Sequence, residues 1–250
     1  TALHLGPDKL PFALMSRSVR VPSVRSLEEF RLRGAEDEKF REAVQSLAET
    51  RRAEPDDLLN FVASSTASAL TASERLATAA KAAATDVVWP QSGLAERLRT
   101  VSQLIRSGLQ TSVYYVTLGG FDTHAQQPDA HRGLLRQLSE AVQALLSELR
   151  SSGDLQRTTV MAFSEFGRRV GENASAGTDH GTAGPMFLAG GAVRAGLHGQ
   201  KPDLANLQDG DLQFSTDFRE VYASVLERWL KVDSADILVG RFQPLDLFSA

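Results

Sequence analysis

Three short apolar runs, separated by polar and helical sequence, constrain the fold more than any other feature of this chain. Residues 112–118, 158–163 and 185–189 are rich in β-branched, aromatic and aliphatic side chains, which is typical of strands that are buried on both faces. Between the first two runs, residues 128–150 carry apolar side chains at helical spacing. A strand, a helix of this length and a second strand form a βαβ unit, so the sequence predicts a mainly parallel sheet flanked by helices.

The N-terminal half has a different character and predicts a helical insertion over residues 37–109. Residues 37–52 are charged and amphipathic, a second helix is predicted over about 55–84, and residues 94–109 show apolar side chains at helical spacing. We therefore expect one α/β domain over residues 1–250 that contains this helical subregion.

The two ends of the chain are predicted from local signals. Residues 1–25 contain three prolines among short apolar pieces, which predicts extended chain with one edge strand near Ala13 to Val21. Asp217 precedes an amphipathic stretch and is predicted to cap a final helix.

Composition excludes several classes of function. The net charge is −4 and the arginines are scattered, which argues against a nucleic-acid-binding face. There is no cysteine, so disulfides, thiolate metal sites and cysteine nucleophiles are excluded. No apolar run approaches the length of a membrane span, and no signal peptide is recognisable. The first residue is Thr1 and not methionine, so we expect the domain to be incomplete at its N-terminus.

The segment that follows the first predicted strand, residues 119–124, reads Gly-Gly-Phe-Asp-Thr-His. Asp122 and His124 lie two residues apart, so their side chains can point the same way on an extended loop. A carboxylate and an imidazole together suit zinc, manganese or iron better than calcium. The alternative is a polar turn in which Asp122 is a cap and His124 is solvated.

Two further polar segments adjoin the other predicted strands. Glu165 is a candidate ligand or base at a strand end, and Arg168 is suited to bidentate binding of an anion. The alternative is that Ser164 caps a helix and that Arg168 forms a surface ion pair. Asp179 and His180 lie between glycines ahead of the third strand, where the alternative is a mobile surface loop.

These segments are expected to meet. Ligands of open parallel sheets bind beyond the carboxyl ends of the strands, so residues 119–124 and 164–168 should lie side by side at one edge of the sheet. We therefore expect Asp122, His124 and His180 to converge within reach of one metal ion.

The other three histidines are weaker candidates. His4 lies near the open end of the chain and is expected to be exposed. His131 falls within the long predicted helix and is expected on its surface. His198 sits in a turn after the third strand and is a further candidate for lining the site.

Four stretches of this sequence resemble a known family. They are GGFDTH at 119–124, FSEFGRR at 163–169, GTDHG at 177–181 and DFREVYASVLERWL at 217–230. In these stretches the chain resembles the bacterial DUF1501 family of the alkaline-phosphatase-like superfamily. The resemblance implies a parallel sheet flanked by helices, a two-metal site, hydrolysis of small anionic phosphate or sulfate esters, and an exported or periplasmic protein.

The resemblance also implies roles for residues of this chain. Five side chains are implied as ligands of a divalent cation, zinc or manganese: Asp122, His124, Glu165, Asp179 and His180. Asp179 has the alternative role of orienting His180. Arg168 is implied as the catalytic residue that neutralises the anionic oxygens of the ester.

One departure from the family pattern bears on activity. Family members carry a GGNDG-type strand end and an S-H-F motif upstream, and in the superfamily that half supplies an acidic ligand and the nucleophile. Neither motif occurs in this chain. We therefore expect the nucleophile upstream of Thr1 and poor hydrolysis by the chain alone. The alternatives are a non-catalytic exported binding or assembly protein that keeps the fold, and a helical interaction domain centred on residues 37–109.

Overall fold

The structure is a computed structural model. It describes residues 2–7, 9–15, 21–25, 37–39, 42–43, 46 and 85–249. The chain divides into two compact units. The first unit comprises Thr1–Leu118 and Gln137–Ser152, and the second comprises Gly119–Arg136 and Gly153–Ala250.

The first unit contains a three-stranded parallel sheet. Its strands are β1 (Ala2–Leu5), β2 (Ser23–Val24) and β3 (Val113–Val116), and β1 lies in the middle. Side chains of a strand alternate between faces, so Leu3 and Leu5 share one face and both are buried.

The expectation that His4 is exposed is wrong. His4 is fully buried, and its Nδ1 lies 2.7 Å from Oγ of Ser23 on the neighbouring strand. The reason is that β1 is the central strand of its sheet, although it lies close to the start of the printed sequence.

Local sequence determines where helix α1 (Gly93–Arg106) begins and ends. The hydroxyl of Ser92 accepts a hydrogen bond from the backbone N–H of Ala95 at 3.2 Å and caps the first turn. Gly108, with φ of 73°, lies just past its end. The predicted helix over residues 94–109 is confirmed, and its apolar face is buried through Leu94, Leu98, Val101, Leu104 and Ile105.

Helix α2 (Gln127–Ser152) confirms the long helix predicted over residues 128–150. Gly153 follows its last residue with φ of 81°, a left-handed conformation that glycine adopts without strain. The part of α2 that belongs to the first unit carries four buried apolar side chains: Ala141, Ala144, Leu145 and Leu149.

The second unit contains two short antiparallel strand pairs. Strand β4 (Thr159–Ala162) pairs with β7 (Phe187–Gly190). Strand β5 (Gly167–Arg168) pairs with β6 (His180–Gly181).

The prediction that the three apolar runs lie in one mainly parallel sheet is wrong. Each run does contain a strand, but β3 is bonded to β1 in parallel, whereas β4 and β7 are antiparallel partners. The apolar composition of a strand indicates burial and carries no information about the direction of its neighbour. The coarser prediction of a mixed α/β protein that has a small parallel sheet and several helices is confirmed.

The C-terminal region is helical, as predicted. Asp217 precedes α3 (Phe218–Ala223) and forms a capping box with Glu220, so the predicted cap is confirmed. The helix continues as a π-helical turn over Ser224–Trp229, and a short helix α4 (Ala235–Leu238) follows.

The N-terminal predictions have mixed outcomes. Phe12–Leu14 form a 3-10 helix, so the edge strand predicted near Ala13 to Val21 is wrong at its start, and residues 16–20 lie outside the described residues. The residues described within 38–46 are helical, in agreement with the first predicted helix. The helix predicted over 55–84 lies outside the described residues.

Within the described part of the chain, no helix combines the length and the apolar character that crossing a bilayer requires.

A buried ion pair in the first unit gives a test of the fold. Glu148 is 3% exposed, and its carboxylate lies 2.7 Å from the guanidinium of Arg106 and accepts a hydrogen bond from the hydroxyl of Thr85. We expect Arg106→Met to leave this carboxylate without its cation and to lower the free energy of unfolding by roughly 3 kcal/mol. Urea denaturation measures the change.

The matched control is Arg132→Met. Arg132 pairs with Asp129 in a solvent-exposed i,i+3 contact, so its loss should change stability little. Equal effects of the two substitutions would contradict the assignment of the Arg106 pair as a core interaction.

Candidate metal centre

Three polar segments of the second unit meet around the side chain of Arg168. Its guanidinium donates hydrogen bonds to the backbone carbonyl oxygens of Phe121 and Thr178, and it lies 3.3 Å from the hydroxyl of Thr123. Arg168 therefore ties the segment 119–124 to the loop that carries His180.

The position of His180 is set by the β5–β6 pair. In this pair His180 lies opposite Arg168. The ring of His180 stacks on the ring of Phe166, with 3.8 Å between centroids and an interplanar angle of 8°. The pairing places the backbone of His180, and the stacking holds the plane of its imidazole.

Asp122, His124 and His180 converge, as predicted. Oδ1 of Asp122 lies 2.8 Å from Nε2 of His180 and 3.0 Å from Nε2 of His124. One potential ligand atom from each residue lies within 4.8 Å of the other two. The three residues therefore form a group that could hold a metal ion, and we call it the Asp-His-His group.

The Asp-His-His group fits a divalent transition-metal ion in its chemistry and spacing. Two imidazoles and a carboxylate are common ligands of zinc, manganese and iron. Ligand atoms that share one tetrahedral ion at about 2.1 Å lie roughly 3.4 Å apart, so the Asp122 contacts are only slightly shorter than a shared ion requires. The side chains of Asp122, His124 and His180 are 66%, 50% and 42% exposed, so the group is open to solvent and to a ligand.

Hydrogen bonding keeps the carboxylate of the group ionised. The hydrogen bond from His180 is the main cause that lowers the pKa of Asp122 below its ordinary value, and the hydrogen bond from His124 acts in the same direction. A lowered pKa means that Asp122 stays charged at neutral pH and is available to a cation. The stabilisation from these contacts is present at neutral pH and is lost as the pH falls through the lowered pKa.

Asp179 contacts the other side of His124. Its Oδ1 lies 3.3 Å from Nδ1 of His124, and Nδ2 of Asn173 donates a hydrogen bond to the same oxygen at 3.3 Å. The hydrogen bond from Asn173 is the largest cause that lowers the pKa of Asp179, followed by that from His124. Asp179 lies outside the Asp-His-His group, and it contacts the ring of His124 and not, as the sequence suggested, that of His180.

The segment that contains Glu165 and Ser164 lies outside the Asp-His-His group. Glu165 is exposed and is not a member of the Asp-His-His group. The alternative expectation that Ser164 caps a helix is wrong, because strand β5 follows at Gly167; the hydroxyl of Ser164 instead accepts a hydrogen bond from the backbone N–H of Phe166 at 3.5 Å.

The remaining histidines also lie outside the group. His131 lies on α2, and its ring makes an edge-to-face contact with Phe121 at 5.7 Å. Nε2 of His198 lies 3.2 Å from the backbone oxygen of Arg194.

Sequence reasoning missed the residues that hold the loops together. Asn173 accepts hydrogen bonds through Oδ1 from the backbone N–H groups of Ser175 and Gly177, which forms an Asx turn. The sequence Asn-Ala-Ser-Ala-Gly at 173–177 is a turn signal that could have identified it. Gln127 bridges the two loops, because its side chain contacts the hydroxyls of Thr123 and Thr178.

Gly177 permits the close approach of the Asn173 turn to the backbone of His124. A Cβ atom at position 177 would lie 2.5 Å from the carbonyl oxygen of His124, which is closer than carbon and oxygen can approach. We expect Gly177→Ala to push the turn away from His124, to lower the thermal midpoint and to weaken zinc binding measured by calorimetry.

The control for this substitution is Gly171→Ala. A Cβ atom at position 171 would meet no atom within 4 Å, so both measurements should stay at the wild-type value. An unchanged Gly177→Ala protein would show that the turn does not pack against His124.

Comparison with known proteins identifies the family. A family model described as "Protein of unknown function (DUF1501)" matches residues 3–239, which is most of the chain. No curated protein matches the chain, and no solved structure matches it. The resemblance in the four sequence stretches is thus supported over nearly the whole length, and the chain belongs to the DUF1501 family.

Proposed function

We propose that this protein is a metal-dependent hydrolase of phosphate or sulfate esters. The observation that carries the proposal is the convergence of the Asp-His-His group at an exposed position of the second unit. An exposed group can accept both a cation and a small anionic ester, whereas a buried structural metal site is closed to substrate.

The residues of this chain supply binding and orientation. Asp122 provides the charge that attracts a divalent cation, because its lowered pKa keeps it ionised. His124 and His180 offer imidazole nitrogens as ligands, and Phe166 restrains the ring of His180. A divalent ion bound there would supply Lewis acidity to an ester oxygen.

The alkaline-phosphatase-like fold and the exported location belong to the same proposal. Both rest on the resemblance of the sequence motifs, and the motif residues at 119–124 and 177–181 are those that form the Asp-His-His group. The identity of the ion, zinc or manganese, is proposed from the donor set.

A second candidate function is a non-catalytic binding or assembly protein that keeps the fold. The observation that favours it is the use of Arg168, whose guanidinium donates to the backbone oxygens of Phe121 and Thr178. An arginine side chain with these bonds holds two loops together and has a structural role. In this reading a metal ion at the Asp-His-His group stabilises a surface for a partner.

Metal binding is the first test of the proposal. We expect the purified protein to bind zinc or manganese, and we expect His124→Ala and His180→Ala each to weaken zinc binding by more than roughly 100-fold, since each removes a ligand. Isothermal calorimetry with the chelator-treated protein measures the affinity. His198→Ala is the control, because His198 lies outside the group. Equal losses for His198→Ala and His180→Ala would contradict the site.

Turnover separates the hydrolase from the non-catalytic alternative. We expect slow hydrolysis of a chromogenic aryl phosphate or sulfate that requires added zinc or manganese, and we expect His180→Ala to reduce it to the rate of the metal ion alone. His198→Ala should keep the wild-type rate. A protein that binds the ion at the Asp-His-His group and hydrolyses neither ester would support the second candidate function instead.

A further inference from the structure

The two histidines of the Asp-His-His group are held by different kinds of contact. The ring of His180 lies flat on Phe166. The ring of His124 lies between two carboxylates, because its Nε2 faces Asp122 at 3.0 Å and its Nδ1 faces Asp179 at 3.3 Å. Stacking restrains the tilt of a ring, whereas a hydrogen bond at Nδ1 also restrains its rotation within the plane.

Asn173 connects the carboxylate of Asp179 to the backbone of the Asp-His-His group. Its Nδ2 donates to Oδ1 of Asp179 at 3.3 Å and to the carbonyl oxygen of His124 at 3.0 Å. Its Oδ1 accepts from the backbone N–H groups of Ser175 and Gly177 at 2.9 Å and 3.2 Å. One amide side chain thus fixes the turn, the backbone of His124 and the carboxylate beside its ring.

We propose that Asn173 is a positioning residue that acts through Asp179 to orient His124 for metal binding. The inference rests on the proposed function, since it concerns the same Asp-His-His group. Asp179 is then an orienting carboxylate and not a ligand, and Asn173 fixes its direction.

The chemistry of imidazole ligands explains why this arrangement helps. An imidazole that binds an ion through Nε2 carries its remaining proton on Nδ1, and a carboxylate that accepts this proton fixes the ring and raises its basicity. The carboxylate of Asp179 is itself exposed, with 61% of its side chain open to solvent. A donor that holds it in place is therefore needed, and the amide of Asn173 is such a donor.

Backbone hydrogen bonds also hold the Asn173 turn beside His124. Backbone N–H groups of Gln126 and Gln127 donate to the carbonyl oxygens of Ser175 and Ala176, each at 3.0 Å. These bonds run between the segment after His124 and the Asn173 turn. The turn is therefore fixed beside His124 by the main chain as well as by Asn173.

The substitution Asn173→Ser tests the positioning role of the Asn173 amide without changing the charge of the site. Asn173→Ser keeps a short oxygen that can accept from the backbone of the turn, and it loses the amide donor that reaches Asp179. We expect Asn173→Ser to weaken zinc binding roughly tenfold and Asp179→Ala to weaken it roughly 10- to 100-fold. We also expect both to shift the visible absorption bands of the cobalt-substituted protein, which report the ligand geometry.

The double variant tests whether Asn173 acts through Asp179. If it does, Asn173→Ser weakens zinc binding by a smaller factor in the Asp179→Ala background than in the wild type. Equal factors in the two backgrounds would mean that Asn173 acts on the fold of the turn alone, and the inference would be overturned.

Two control substitutions and the metal binding of the wild-type protein distinguish a failure of this inference from a failure of the proposed function. Asn206→Ser and Asp203→Ala change exposed residues of the same types outside the group, and both should keep the wild-type affinity and spectrum. A wild-type protein that binds none of zinc, manganese and cobalt would remove the proposed function and this inference with it. A wild-type protein that binds zinc and cobalt, with affinities unchanged in Asn173→Ser and Asp179→Ala, would overturn the inference alone.

Discussion

The hydrogen bonds of Arg168 are the interaction on which the candidate metal centre depends. Its guanidinium joins two loops, because it donates to the carbonyl oxygens of Phe121 and Thr178. Hydrogen bonds from a charged donor are stronger than those between neutral groups, so this residue suits the task of joining irregular loops. The face of the guanidinium also lies 5.1 Å from the ring centroid of Phe166, which in turn stacks on His180.

An exposed site needs hydrogen bonds of this kind, because burial does not order its side chains. Asp122, His124 and His180 are all open to solvent, so close packing in a core does not fix their arrangement. Hydrogen bonds lower the pKa values of Asp122 and Asp179 even though both carboxylates are exposed. The order of the site comes from close backbone contacts, such as that permitted by Gly177, and from side chains that bridge loops.

The sequence predicted local elements well and their pairing poorly. The periodicity of apolar residues located α1 and α2, and the Asp217 cap followed from side-chain chemistry, because each of these depends on neighbours within a few residues. Strand partners depend on contacts distant in the sequence, and the antiparallel return of β7 beside β4 leaves no mark in apolar composition. Convergence of Asp122 and His180 was predicted from a shared edge of a parallel sheet, yet it arises from the β5–β6 pair and the Arg168 bonds. Asn173 was missed because a turn signal does not reveal which carboxylate the amide side chain will reach, even when that carboxylate is only six residues away.

The hydrogen bonds of Arg168 also limit how its guanidinium could contact a substrate. The catalytic role predicted for Arg168 requires its guanidinium to face ester oxygens, and this role stays a prediction. Both terminal nitrogens of the guanidinium already donate to the carbonyl oxygens that hold the loops of Asp122 and His180. Turning the guanidinium towards a substrate would break these bonds and loosen the Asp-His-His group, so substrate contact and site assembly compete for one side chain. Arg168 can still favour an anion through its charge, because Coulomb attraction needs no free N–H group and decays over several ångströms. A hydrolase built on this centre would therefore use Arg168 as a fixed positive charge that also keeps the metal ligands together.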